Sequence, residues 1–172
     1  VPDALPRALW LDEIDGIALT AYEQGDPAAL RFTYPGLVKT LALDGSTATV
    51  TWQCSGLAGR RFTTRLNLAM PSCDGFLGRY VLADGSIPGG FGQPIDLPAA
   101  TMLTLEDGVL GGSIRLVASI PAEICGRPQQ TVSQSEAGFE KIMQCVELSF
   151  TWTLPDDQYT LQLQLTTQQS PS

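Results

Sequence analysis

The sequence predicts an all-β protein built as an antiparallel β-sandwich, and three observations support that fold class. Apolar and polar residues alternate strictly over 146–154 and again over 159–166, which is the period of a strand with one buried face. Turn-forming pairs such as Asp44-Gly45 and Asp107-Gly108 recur between the alternating runs. No stretch shows the helical period that a parallel α/β fold needs between its strands. About ten strands of this kind bury their apolar faces best as two packed sheets.

The first segment, residues 1–25, lacks this alternation and ends at the breaker Gly25-Asp26-Pro27. We expect it to be an entry segment that packs Trp10 onto the rest of the chain. A length of 172 residues suits a single core, so residues 1–172 are predicted to form one β-sandwich domain. Because residue 1 is Val1 and not methionine, we expect a processed product or an excised domain.

The middle of the chain contains most of the predicted strands, each with alternating residues and a turn signal at its end. In the third of them, Ala48, Val50, Trp52 and Cys54 point inward. Residues 86–98 are rich in glycine and proline and are predicted to form a long surface loop. The predicted strands cover residues 30–34, 41–43, 48–54, 62–70, 79–82, 102–106 and 114–120.

The last third holds the clearest pattern. The runs 146–154 and 159–166 flank a short turn-forming link, so they are predicted to pair with each other as an antiparallel hairpin. Upstream lies the polar run Ser133-Gln134-Ser135-Glu136, which strand formation does not require. Two interpretations of it stay open: a capping box on one helical turn, since Ser133 and Glu136 have that spacing, or a recognition segment.

Composition excludes several function classes. The net charge of −8 and the lack of a basic stripe argue against nucleic acid and against anionic membrane surfaces. No apolar run is long enough to cross a bilayer. The chain has no histidine, which removes Ser-His-Asp and Cys-His catalysis and histidine-ligated metals. We expect no cofactor and no metal.

The four cysteines are Cys54, Cys73, Cys125 and Cys145, and none belongs to a Cys-x-x-Cys pair. An even count permits two disulfides. However, Cys54 and Cys145 continue apolar strand faces, where buried thiols usually lie, so we expect free thiols. Free thiols favour a cytoplasmic location.

Several polar or aromatic groups have both a structural and a functional interpretation. Trp52 and Trp152 lie on apolar strand faces, so core packing is favoured over stacking on sugar rings. Asp-Gly pairs are predicted to be hairpin turns and not calcium loops. Arg65 and Asn67 occupy the outward face of a strand, and 162 and 164 are glutamines on a similar face. Such a face either binds a hydroxylated ligand or meets water.

The run Ser133-Gln134-Ser135-Glu136, with Gln144 and the strands that follow, resembles the C-terminal region of glycoside hydrolase family 57 α-amylases and 4-α-glucanotransferases. Residues 62–68 are similar to the family's aromatic-then-Glu-Leu-Asn-Leu strand, and residues 7–12 resemble its opening Arg-x-x-φ-φ-Asp, where φ is apolar. The chain departs from the pattern at two positions. Arg65 stands where the family usually has Glu, and Glu13 stands where a His often follows the Asp.

The resemblance implies a galactose-mutarotase-like β-sandwich attached to a catalytic (β/α) barrel. In the family the nucleophile and the acid lie in that barrel, which this chain lacks, so no catalytic residue is expected. The implied function is an accessory C-terminal domain of an α-glucan-processing hydrolase or transferase. It would shape the substrate cleft and contact glucan through Arg65, Asn67, Glu136 and Gln144. Two alternatives remain: an independent carbohydrate-binding module and a purely structural interaction domain.

Overall fold

The computed structural model describes residues 9–25, 30–70, 72, 77–135 and 138–169, with side chains 133–135 and 138–141 excepted. Within these ranges the fold is all-β and antiparallel, as the sequence predicts. The strands are β1 (Leu9–Ile14), β2 (Ile17–Ala18), β3 (Glu23–Gln24), β4 (Arg31–Tyr34), β5 (Leu37–Asp44), β6 (Thr47–Ser55), β7 (Arg61–Leu68), β8 (Gly78–Leu82), β9 (Gly89–Gly90), β10 (Ile95–Asp107), β11 (Gly112–Ser135), β12 (Gly138–Thr153) and β13 (Gln158–Gln169).

The strands form one continuous hydrogen-bonded sheet in the order β2-β1-β7-β12-β11-β13-β6-β5-β4-β3. β11 divides it into two wings, because its residues 112–118 pair with β13 and its residues 123–135 pair with β12. β10 pairs along both parts of β11 and joins β8 and β9 to the sheet. We call β1, β7 and β12 the first wing, and β13, β6 and β5 the second wing.

The two wings pack face to face around one aromatic core. Trp52 on β6 contacts Phe62 on β7 at a ring-centroid distance of 5.4 Å and Trp152 on β12 at 6.3 Å. These strands lie far apart in the sheet order, so the contacts form only because the sheet folds back on itself. Trp52 and Phe62 are fully buried. Burying one such side chain contributes about 1.5–3 kcal/mol. The β-sandwich class and the core positions of both tryptophans are confirmed.

The predicted C-terminal hairpin is wrong in its pairing, although both strands exist. In the described chain, β12 pairs with β11 and β7, whereas β13 pairs with β11 and β6. The link at 154–157 therefore carries the chain from one wing to the other. A short link between two alternating runs fixes the reversal of direction, but not the sheet that each strand joins.

The predicted surface loop at 86–98 is only partly correct: residues 86–88 and 92–94 are exposed and lie outside the strands, but strand residues interrupt them. Gly89 and Gly90 pair with β8, and β10 already begins at Ile95. Phe91 is fully buried with its ring 5.2 Å from that of Tyr80. Gly78 leaves room for Phe91, since a Cβ at that glycine would collide with the aromatic ring. Burial of one large aromatic ring outweighs the loop preference of its neighbours.

The polar run near residue 133 lies in a β-hairpin. Residues 129–135 of β11 pair with residues 138–145 of β12, and no third strand flanks them in the part of the chain described. Ser133 has strand backbone, so a capping box on a helical turn is wrong. Glu136 lies outside the described residues.

Candidate functional site

The outward face of the first wing carries a row of charges that alternate in sign across neighbouring strands. Arg65 on β7 donates to Glu13 of β1 through Nε at 2.6 Å and Nη2 at 3.2 Å. Its Nη1 donates to Glu147 of β12 at 3.2 Å. Arg127 stands opposite Glu147 in the β-ladder and forms an ion pair with Asp96 at 2.5 Å. We call Asp96, Arg127, Glu147, Arg65 and Glu13 the charged row.

The charged row is held more firmly at one end than at the other. The Glu13 side chain is only 6% exposed, whereas that of Asp96 is 64% exposed. Hydrogen bonding to Glu13 is the main reason that the pKa of Arg65 is raised. The hydrogen bond from Arg127 lowers the pKa of Asp96. Each charged side chain of the row therefore has a partner of opposite sign within the row.

Of the other sequence-predicted contact residues that the structure describes, Asn67 lies beside this row and Gln144 lies in the β11–β12 hairpin. Asn67 is opposite Glu147 in the ladder, and its Oδ1 is 3.7 Å from the Sγ of Cys145. Gln144 is the extra residue of a β-bulge opposite Gln129 and Gln130. It is exposed, and its Nε2 donates to Thr131 Oγ1 at 3.1 Å. Its amide is thus engaged within the hairpin.

A second polar centre lies between the wings around Asp12, which is fully buried. Its Oδ2 accepts from Lys39 Nζ at 2.8 Å, Tyr22 Oη at 2.6 Å and Trp52 Nε1 at 3.1 Å, and its Oδ1 accepts from Thr64 Oγ1 at 2.8 Å. Burial is the main reason that the pKa of Tyr22 is raised, and the negative charge of Asp12 is the second, so the Tyr22 hydroxyl remains a hydrogen-bond donor. Because every partner is a donor, the carboxylate is fully satisfied. We call these five residues the Asp12 clamp.

The Asp12 clamp joins the two wings through residues that are distant in sequence. Asp12 belongs to β1 of the first wing, whereas Lys39 and Trp52 belong to β5 and β6 of the second. Lys39 Nζ also donates to the carbonyl of Trp10 at 2.6 Å. The Trp10 backbone has a φ of 56°, and the register of β1 shifts beside it. Trp10 itself packs against the core, so its ring is not an exposed sugar platform.

Cys54, Cys125 and Cys145 are free thiols, and Cys73 lies outside the described residues. Burial raises the pKa of the Cys54 thiol to about 11, so it is uncharged near neutral pH. In the described part of the chain there is no group of three or more His, Cys, Asp or Glu side chains able to hold a metal. The same residues contain no helix able to span a membrane.

An open groove of about 480 Å³ lies at one end of the second wing. Its rim is the β4–β5 turn at Gly36, whose φ of 77° requires a glycine. A Cβ at Gly36 would lie 2.8 Å from the Ser55 carbonyl oxygen, so β5 and β6 approach closely here. Sequence reasoning missed this groove because its residues come from four strands, β4, β5, β6 and β13. We call it the β5–β6–β13 groove; it is lined by Tyr34, Gly36, Leu37, Val38, Gln53, Cys54, Ser55, Gln158, Tyr159 and Thr160.

Comparison with known proteins gives one family match. A family model described as "Alpha-amylase/4-alpha-glucanotransferase, C-terminal" matches residues 25–165. No curated protein matches the chain.

Two solved structures are similar to this chain. The 4-alpha-glucanotransferase from Thermococcus litoralis has a TM-score of 0.66 and 16% sequence identity. The match covers 97% of this chain but 28% of that enzyme, so the chain spans little more than a quarter of the enzyme's length. The Slr1438 protein from Synechocystis sp. PCC 6803 has a TM-score of 0.47 and 14% identity over 99% of this chain and 65% of that protein. At such identities the likeness to the first structure shows a shared fold.

Proposed function

Because the chain belongs to the alpha-amylase/4-alpha-glucanotransferase C-terminal domain family, we propose that it is a non-catalytic accessory domain of an α-glucan-processing enzyme. The observation that carries this proposal is the family match across residues 25–165, which includes β4 to β12. The run Ser133-Gln134-Ser135-Glu136 supports placement within glycoside hydrolase family 57. Residues 1–172 would act as one domain, with residues 1–25 as its entry segment.

The two neighbouring carboxylates Glu106 and Asp107 are arranged unlike those of a glycosidase, which supports a non-catalytic role. Glycoside hydrolysis uses two carboxyl groups that flank the same glycosidic bond. Glu106 and Asp107 are neighbours beside one surface groove, but successive residues of a strand point to opposite faces. Glu106 pairs with Arg79, and Asp107 is buried against Ser72. The chain also has no histidine to serve as a base.

We propose that the partner is a catalytic (β/α) barrel, which the turn at 107–111 would contact. Val109 and Leu110 are each 62% exposed at this turn. Their positions are fixed, because Asp107 Oδ1 accepts from the Val109 amide at 2.9 Å and from the Leu110 amide at 3.0 Å. A rigid, exposed apolar turn is typical of an interaction surface. The free thiols Cys54, Cys125 and Cys145 support a cytoplasmic location.

Direct contact with glucan is the finer part of the proposal, and the two wings offer competing places for it. On the first wing it would involve Arg65, Asn67, Glu136 and Gln144, with Arg65 held in place by Glu13 and Glu147. The Asn67 and Gln144 amides would then supply hydrogen bonds to sugar hydroxyls.

The direct test of the proposed function is to incubate the purified chain with maltoheptaose and to analyse the products by chromatography. We expect neither hydrolysis nor transfer. Turnover by the chain alone, abolished by changing a carboxylate of the chain, would contradict the accessory role. The two alternatives differ from each other in binding. An independent carbohydrate-binding module would bind maltooligosaccharide with no partner present, whereas a purely structural domain would be folded and would bind none.

A further inference from the structure

We propose that the β5–β6–β13 groove is a binding site for a neutral oligosaccharide, separate from the charged row on the opposite wing. If the proposed function holds, the ligand is a segment of α-glucan. The inference therefore rests on the proposed function for the identity of the sugar. The site itself is argued from the groove's charge, its hydrogen-bonding groups, its walls and its size.

The first argument is the absence of charge. Of the described residues that line the groove, none is acidic or basic. The chain as a whole carries a net charge of −8, and another surface groove is lined by Arg79, Glu106 and Asp107. A phosphorylated or anionic ligand would find no cation in the β5–β6–β13 groove and would meet an acidic protein. A neutral polyhydroxylated ligand meets no such penalty.

The second argument is the kind of polar group. Amides and hydroxyls both donate and accept hydrogen bonds, as sugar hydroxyls do. Gln53 and Thr160 face each other on β6 and β13, and both are exposed. Neither side chain has a hydrogen-bond partner among the described residues. Ser55 donates to the Gln158 Oε1 at 3.1 Å, which leaves the Gln158 NH₂ group to donate outward.

The third argument is that the groove is built on rigid elements. Gln53 and Thr160 lie within paired strands, near the strand ends, and not in loops. The rim is fixed by the hydrogen bond from the Ser55 amide to the Gly36 carbonyl at 2.8 Å. Cys54 and Leu37 behind the groove are each only 1% exposed and belong to the core. A preformed site loses little conformational entropy when it binds a ligand.

The volume is the fourth argument. At about 480 Å³, the groove falls within the range of about 300–1,000 Å³ that is common for small-ligand sites. It is open along one side, so a chain of sugars can enter and leave at its ends. Tyr34 and Tyr159 border it and add partly buried aromatic surface.

The experiment is a calorimetric titration of the folded chain with maltoheptaose, repeated with Gln53→Ala and Gln158→Ala. We expect saturable binding that each substitution weakens about tenfold, since each removes a hydrogen bond in a neutral site. Gln164→Ala is the matched control, because Gln164 lies on β13 four residue pairs beyond the groove and does not line it. It should leave the affinity unchanged. All of these side chains are exposed, so the variants should fold.

Each other outcome overturns the inference in a recognisable way. Binding that is lost in Asn67→Ala but unchanged in Gln53→Ala would place the glucan on the first wing and leave the proposed function intact. Absence of binding to maltoheptaose by the folded chain would remove the groove as a glucan site. Failure of the proposed function appears elsewhere, as turnover in the product assay.

Discussion

The two outward faces of the sandwich differ in charge, although both are made of alternating antiparallel strands. On the first wing the charged row crosses neighbouring strands, and its acidic and basic side chains form ion pairs with each other. On the second wing the corresponding positions of β6 and β13 carry hydroxyls and amides. We call these the amide–hydroxyl face; they are Thr49, Thr51, Gln53, Thr160, Gln162 and Gln164.

The comparison shows that the cross-strand neighbour decides whether a polar side chain is available to a ligand. Arg65 was the more conspicuous candidate in the sequence, but Glu13 and Glu147 take up its guanidinium. Gln53 was inconspicuous, yet its neighbour Thr160 makes no competing bond to it within the described chain. On the amide–hydroxyl face Gln162 Nε2 donates to Thr51 Oγ1 at 3.3 Å, whereas Gln53 and Thr160 at its groove end keep their side chains available to hydrogen-bonding partners.

The largest effect should come from Asp12→Ala, because the Asp12 clamp holds the two faces in one structure. The substitution leaves the Lys39 ammonium, only 12% exposed, without its carboxylate. Breaking one partner of a buried ion pair costs about 3–5 kcal/mol. Urea denaturation followed by tryptophan fluorescence measures this loss of unfolding free energy. Asp156→Ala in an exposed turn is the control, with an expected change below about 0.5 kcal/mol. A loss that small for Asp12→Ala would contradict the clamp.

The next largest effect is a difference in unfolding free energy between variants at the two ends of the charged row. Arg65→Ala should cost about 1–3 kcal/mol of unfolding free energy, because the nearly buried Glu13 loses both of its hydrogen bonds. Arg127→Ala breaks an exposed pair with Asp96 and two hydrogen bonds to the Ile95 and Gly126 carbonyls, but it leaves no buried carboxylate without a partner, so it should cost less than Arg65→Ala. Denaturant titrations of the two variants compare them directly. Equal losses of unfolding free energy in the two variants would mean that burial does not determine how much each ion pair of the charged row contributes to stability.

A pH experiment distinguishes buried from exposed carboxylates. Burial raises the pKa of Asp107, but hydrogen bonds from Ser72 and from the Leu110 and Val109 amides outweigh it, so the net pKa is lowered. A carboxyl whose pKa is lower in the folded state stabilises the fold above its unfolded pKa of about 3.9, and this contribution disappears as the pH falls through the folded value.

Asp107→Asn should therefore lower the unfolding free energy at pH 7 by about 1–2 kcal/mol and flatten its decline below about pH 4. Asp96→Asn should change this profile little, because the Asp96 side chain is 64% exposed. The check is thermal unfolding between pH 7 and pH 2.5. A parallel shift of the Asp107→Asn curve at every pH would show that the residue acts by packing and not by its charge.

The smallest effect is the salt dependence of glucan binding. Since no charged residue lines the β5–β6–β13 groove in the described chain, the affinity for maltoheptaose should change less than about twofold between 50 and 500 mM NaCl. Calorimetry at the two ionic strengths measures it. A marked dependence on salt would assign binding to the charged row.

Much of the fold was predictable because alternation reports directly which face of a strand is buried. Val50, Trp52 and Cys54 were assigned inward, and each is at most 1% exposed. Which strands pair with each other was harder to predict, because the same alternation of apolar and polar residues is compatible with any neighbouring strand. This is why the strands of residues 146–154 and 159–166 were predicted correctly but joined wrongly.

The sites were harder to predict because they depend on residues distant in sequence. Asp12 and Lys39 are 27 positions apart, and only the folding of the sheet brings them together. Arg65 was identified as outward-facing, but its two carboxylate partners come from β1 and β12. The groove combines residues 34–38, 53–55 and 158–160, which no local pattern connects. A composition bias was the one available signal, since glutamines and threonines dominate the outward positions of residues 158–169.

The comparison of the two faces is tested most directly by mapping amide chemical-shift changes while maltoheptaose is added to the isotope-labelled chain. We expect saturable shifts centred on Gln53, Ser55, Gln158 and Thr160, with the residues of the charged row unmoved. Shifts centred on Asn67, Glu147 and Gln144 instead would show that the charged face binds the sugar, and would contradict the division of roles between the two wings.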